Sequence, residues 1–136
     1  MLKRFTISME EELLHDFDDL IAQRRYKNRS EAVRDLIRSR VVEDEWAADK
    51  DVMGVISLVY DHHQHQLQEK ITELQHDLHH HIVSTTHVHM DHHNCLEVII
   101  VRGQAGAVQQ LANSLIALRG VRSGNLAMSS TGKHLH

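Results

Sequence analysis

The chain has 136 residues, room for one ordinary domain or two small ones, and its 41% hydrophobic and 25% charged residues suit a soluble globular protein. No apolar run nears the roughly 18 residues that span a bilayer, no secretory pattern opens the chain, and the single cysteine, Cys95, excludes an intrachain disulfide, so a cytoplasmic protein is expected. The net charge of −4 hides an asymmetry: residues 1–42 carry nine Lys/Arg and eight Asp/Glu, whereas 43–136 carry six and eleven. A basic stretch over 24–40 inside an acidic protein points to one polyanion-binding end, although a solvated helix face has the same charge signature.

Arg4, Thr6 and Ser8 alternate with Phe5, Ile7 and Met9, which predicts a half-buried strand. Residues 10–25 then set Leu13, Leu14, Phe17, Leu20 and Ile21 on one helical stripe, with acids in the first turn where the helix dipole favours them. Ser8 and Glu11 have the spacing of a capping box. A turn at 26–28 leads to Asn28 as cap of a second helix, whose apolar face is Ala32, Val33, Leu36, Ile37 and Val41. EDEWAADKD at 43–51 is charged and aperiodic, and the boundary is expected there: a domain over 1–45, a linker over 46–51 and a domain over 52–136.

The second domain reads as a strand (MGVISLVY), a helix from 62 to about 78 with Leu67, Ile71, Leu74 and Leu78 in line, and a strand at 82–90. After a DHHN turn come a strand at 95–102, a helix at 105–118 closed by Arg119-Gly120, and a strand near 121–129. The order β-α-β-β-α-β is the ferredoxin-like arrangement, so the expected class is α+β, with a β-α-α domain ahead of it.

A lone N-terminal strand cannot make a sheet, but two copies pairing antiparallel would form a ribbon. That ribbon would present Arg4, Thr6 and Ser8 of both chains to the major groove of DNA. The helix capped by Asn28 would aim backbone N–H groups at a phosphate, helped by Arg29. Residues 3–41, including the NRSEAVRDLIR run, resemble a ribbon-helix-helix domain. A plain dimerisation module is the alternative.

Fourteen histidines flag metal binding, and because the HHQH, HHH and HH tracts are internal and interrupted they are not a purification tag. His87 and His89 are two apart on a strand and share a face with Val83 and Thr85. Ile82, Val88 and Met90 take the other face, expected to pack beneath the helices. Cys95 opens the next strand after a short turn, so a hairpin would bring its sulfur near both imidazoles. Two nitrogens and a thiolate suit Zn, Cu or Ni; spacing alone does not choose among them, and exposed histidines beside a structural cysteine would look alike. With His87 and His89 turned away from the helices, a fourth ligand within the chain is awkward. Two domains meeting through these faces could let His76 of one chain complete the site of another, a metal clamp between subunits.

The second domain, joined to the first, resembles the nickel-responsive regulator (NikR) family over nearly the whole chain, most specifically in TTHVHMDHHNCLE. The resemblance implies Ni(2+) in a planar site at a tetramer interface, held by His87, His89 and Cys95 of one chain and His76 of another. It also implies that Tyr60 and Glu97 orient these ligands. A second cation between the domains is implied at Glu31 and Asp35 with carbonyls around Ile116, Leu118 and Val121, although Glu31 also reads as the partner of a helix cap. Gln64 stands where some relatives carry a basic residue that touches DNA, which puts that contact in doubt here.

The expected function is a nickel-activated repressor of nickel-uptake genes, a homotetramer built as a dimer of dimers on palindromic operator DNA with spaced half-sites. No phosphate-binding glycine loop and no nucleophile–base pair argue for an enzyme. A zinc- or copper-responsive regulator of the same build, a metal-storage protein and an antitoxin-like repressor are the alternatives. His62, His63, His65 and the run His79, His80, His81 are expected to decorate the surface or to bind surplus metal weakly, and no role is assigned to His92 or His93.

Overall fold

The computed structural model describes residues 1–136, the side chain of His65 excepted. The chain divides into two compact units, Met1–Ser39 and Arg40–His136.

In the first unit, residues 1–10 hold no regular secondary structure, and two helices follow, α1 (Glu11–Arg24) and the start of α2 (Arg29–Ala47). The N-cap of α1 is Glu10, without a side-chain hydrogen bond, so Ser8 does not close the capping box that its spacing suggests. The helix stops where Arg25 turns left-handed (φ 59°) and its N–H returns to the Ala22 carbonyl. The α2 cap is as expected: the Glu31 N–H donates to Asn28 Oδ1 at 2.9 Å. Only Ala32 is buried in this unit, whereas Phe5, Ile7, Leu13, Leu36 and Ile37 are all at least half exposed. The apolar stripes are therefore present, but a single chain does not cover them.

The second unit contains the end of α2, β1 (Asp51–Asp61), α3 (His65–Asp77), a 3-10 turn (His79–His81), β2 (Ile82–His89), β3 (Asn94–Gln104), α4 (Ala105–Ile116) and β4 (Val121–Ser129). Its four strands form one antiparallel sheet in the order β2-β3-β1-β4, which gives the β-α-β-β-α-β arrangement. Alternate residues of the two central strands are buried, Val52, Ile56, Leu58 and Tyr60 on β1 with Cys95, Glu97, Ile99 and Val101 on β3. Against this face pack Leu67 and Ile71 of α3 and Val108, Leu111 and Leu115 of α4. Gly124 lets α4 approach closely, because a Cβ there would lie 2.7 Å from Ile116 Cγ1. Among the described residues no helix is long and apolar enough to cross a membrane.

Several boundaries differ from the sequence reading: residues 4–9 form no strand in the single chain, and α3 starts at His65 rather than His62. Residues 46–51, expected to be a linker, include the end of α2, and Trp46 is buried in the core with its Nε1–H donating to the Ser129 carbonyl at 2.9 Å. Asp49 accepts the Gly106 N–H at 2.7 Å and so caps α4 from outside that helix. One large apolar residue makes this packing, which leaves no periodicity to read. Helix α4 ends at Ile116 rather than 118, and Gly120, with φ 105°, belongs to the turn into β4.

Candidate metal centre

The β2–β3 hairpin sets the frame of the site. His89 pairs with Cys95 and His87 with Glu97, while across β3 Tyr60 pairs with Cys95. Directly paired residues project to one face of an antiparallel sheet, so these five side chains share a side. That side carries α3: Gln75 Nε2 donates to Glu97 Oε1 at 3.2 Å, and Thr85 Oγ1 donates to Gln75 Oε1 at 3.1 Å. His87 and His89 were expected to turn away from the helices, and they do not. Val88 and Met90, expected beneath the helices, are 44% and 49% exposed. Because β2 is an edge strand with mostly exposed residues on both faces, its own alternation carries no inward signal.

Cys95 is fully buried, and its Sγ lies 3.4 Å from His89 Nδ1. Burial pushes its thiol above the ordinary range, partly offset by the backbone N–H of His62. A cation that takes the thiolate must therefore displace a proton. The His87 ring is centred 5.0 Å from that of His89, and its Nδ1 is 3.4 Å from the Tyr60 hydroxyl. Tyr60 donates in turn to Glu97 Oε2 at 3.0 Å, and burial together with that carboxylate pushes the phenol well above its ordinary value. Both Glu97 oxygens are thus engaged, by Tyr60 and by Gln75. A histidine held through one ring nitrogen presents the other as a ligand, the usual way in which a metal-binding imidazole is aimed.

The structure adds His62, for which the sequence left surface decoration and weak binding of surplus metal both open. One ligand atom each from His62, His89 and Cys95 lies within 4.8 Å of the other two. His62 Nδ1 is buried without a hydrogen-bond partner among the described residues, and burial lowers the basicity of this imidazole. An orphaned nitrogen beside a buried sulfur and a second imidazole fits a soft or borderline cation. The only sequence signal was its position two residues after Tyr60. A turn residue has no periodicity to separate it from its neighbours His63 and His65.

His76 is exposed on α3, and its ring lies 6.2 Å from His79. Within the chain it does not join the group around Cys95. Arg4, Thr6 and Ser8 are exposed in the N-terminal segment. Arg29 is already paired, donating from Nε and Nη2 to the two Asp18 oxygens at 3.0 Å each, and Asn28 is used as the α2 cap. Of the two acids implied for a second cation, Glu31 accepts from Arg34 at 2.5 Å and Asp35 accepts from the Tyr26 hydroxyl.

Residues 53–129 match the family model for the NikR C-terminal nickel-binding domain, and residues 3–44 match the CopG-family ribbon-helix-helix model. The chain belongs to the nickel-responsive regulator family. A relative from Desulfotalea psychrophila carrying the name nickel-responsive regulator is 69% identical over 136 residues, with both chains covered completely. Similarly named relatives are 50% identical in Geobacter sulfurreducens, covering 98% of this chain and 96% of the relative, and 49% identical in Thermococcus kodakarensis, covering 97% and 96%. An uncharacterized protein from Thermotoga maritima shares the fold at 13% identity and TM-score 0.52, over 57% of this chain and 96% of that one. Members of the nickel-responsive regulator family are transcriptional regulators rather than enzymes, and the metal of their C-terminal domain is nickel.

Proposed function

We propose that this regulator is a repressor that binds operator DNA when Ni(2+) occupies its C-terminal domain, controlling genes of nickel uptake in the cytoplasm. The metal is held by His87, His89 and Cys95 of one chain and His76 of a second, with Tyr60 and Glu97 orienting His87. The observation that carries this reading is the buried Cys95 sulfur 3.4 Å from His89 Nδ1, beside a histidine aimed by Tyr60. A thiolate with imidazoles selects borderline transition metals over hard cations.

A homotetramer, a dimer of dimers, follows from two uncovered surfaces. The N-terminal unit buries only Ala32, so a second copy is needed to pair the 4–9 segments into a ribbon and to cover Leu13, Leu36 and Ile37. In the second unit, helices cover one sheet face, while Val55, Val59, Leu96, Val98 and Ile100 stand partly exposed on the other, where a further copy fits. Two ribbons in one assembly call for a palindromic operator with spaced half-sites, read by Arg4, Thr6 and Ser8 and clamped at phosphates near Asn28 and Arg29. Glu31 and Asp35 are retained as the acids of a second cation site.

The test is a DNA-binding titration of the full chain with no metal and with stoichiometric Ni(II), Zn(II) or Cu(II), repeated with Cys95→Ser and His76→Ala. The expected result is operator binding with Ni(II) alone, together with an ultraviolet thiolate-to-metal band, both lost in Cys95→Ser. Metal-dependent repression that survives Cys95→Ser would overturn the sensing site. A response to Zn(II) or Cu(II) in place of Ni(II) would reassign the metal.

A further inference from the structure

Beside the centre described above lies a second group of potential ligands that it does not use. Asp61 closes β1, His63 lies in the turn that follows, and the β2–β3 turn carries His93. The two turns are joined by a hydrogen bond from the His62 N–H to the His93 carbonyl at 3.2 Å. One ligand atom each from Asp61, His63 and His93 lies within 4.8 Å of the other two. We propose that Asp61, His63 and His93 form a second, solvent-facing site for a divalent transition-metal ion, separate from the Cys95 centre.

Three observations carry the inference. The donors converge: His63 Nδ1 is 3.1 Å from Asp61 Oδ1, and the His63 and His93 rings are centred 5.5 Å apart. Bonds to a metal of about 2.0–2.2 Å need only small rotations of two exposed imidazoles to close this set. The turns are also built in advance. Asp61 Oδ1 accepts the His63 N–H at 2.9 Å, and Asp91 Oδ1 accepts the N–H groups of His93 and Asn94 at 2.8 Å each. Finally, the charge is suitable. Asp61 brings a carboxylate to the group, and Arg122 Nη2 stands 3.8 Å from its Oδ2 without occupying Oδ1.

Two neutral imidazoles and one carboxylate offer N, N and O donors, which suit Ni(II), Co(II) or Zn(II) and leave the remaining positions to water or to His92, whose ring is 5.9 Å from that of His63. The site lacks a thiolate and is open to solvent, so it binds more weakly than the Cys95 centre. His62 stands between the two groups, its ring 4.1 Å from His63 and 5.1 Å from His89.

The inference does not depend on which metal the first centre senses. Full-length protein is titrated with Ni(II) and with Co(II), following bound metal per chain and the thiolate charge-transfer band. The expected result is a second ion, bound more weakly and without thiolate character. His63→Ala/His93→Ala loses that ion and keeps the band, whereas Cys95→Ser loses the band and keeps the ion. A His79→Ala/His80→Ala/His81→Ala variant serves as control and retains both. The proposal is overturned if His63→Ala/His93→Ala binds as much metal as the parent. It is equally overturned if that variant loses the band, since the two groups would then be one site, or if the control loses the same ion.

Discussion

Cys95 combines burial with a need to ionise, and the residues around it show how the fold supports that. Tyr60 keeps its proton and passes a hydrogen bond to Glu97, which leaves it available to hold His87. The chain has only two tyrosines, and both are held above their ordinary range, Tyr60 by burial and Glu97, Tyr26 by its hydrogen bond to Asp35. Below pH about 10 both phenols are protonated whether the chain is folded or not. Above it the unfolded chain releases protons that the folded chain retains, so stability falls as pH rises. Ultraviolet absorbance should therefore show less tyrosinate at pH about 10 in the native protein than the about half ionisation found in denaturant. Native titration at the ordinary phenol value would contradict the Tyr60–Glu97 contact.

Among the elements, α4 sits close against β4. Gly124→Ala would force a methyl against Ile116 while leaving the metal ligands untouched. An expected loss of about 1–3 kcal/mol should appear as a lower urea midpoint with an unchanged slope. No loss would mean that α4 shifts freely over β4. On the proposed reading the N-terminal elements bear on DNA in two ways. Arg4→Ala should cost about 1–3 kcal/mol on operator and relax the preference at a guanine. Arg29→Ala should weaken binding to every sequence and flatten its salt dependence. Because Arg29 is paired with Asp18 in the free chain, Asp18→Asn should raise affinity for operator and random DNA alike. Equal losses on both DNAs for Arg4→Ala would remove it from base reading.

For the whole molecule, the N-terminal unit has almost no core of its own, whereas the C-terminal unit closes a full one around Ile56, Leu58 and Ile99. A unit of about 40 residues gains too little from burial to stand alone, so its stability should depend on protein concentration. Sedimentation should show tetramers at micromolar concentration and dimers on dilution. A stable monomer that still binds operator would break the link between assembly and DNA reading.

Much of this was legible in the amino-acid order. Period-2 and period-3.6 patterns mark the two central strands of the C-terminal sheet and the helices, because burial on one face leaves a repeat in the chain. His87, His89 and Cys95 stand out because their donor chemistry is rare at such spacing. Tertiary structure decided the rest. The direction of His87 and His89 came from the register of β2 against β3, since an edge strand with both faces mostly exposed has no apolar alternation to betray its inner side. Trp46 and Asp49 turned an apparent linker into the foundation of β4 and α4 through contacts with residues more than fifty positions away. His62, His63 and His93 joined defined ligand groups only when two turns met in space. A turn carries no period, and proximity between distant residues belongs to the fold rather than to the local sequence.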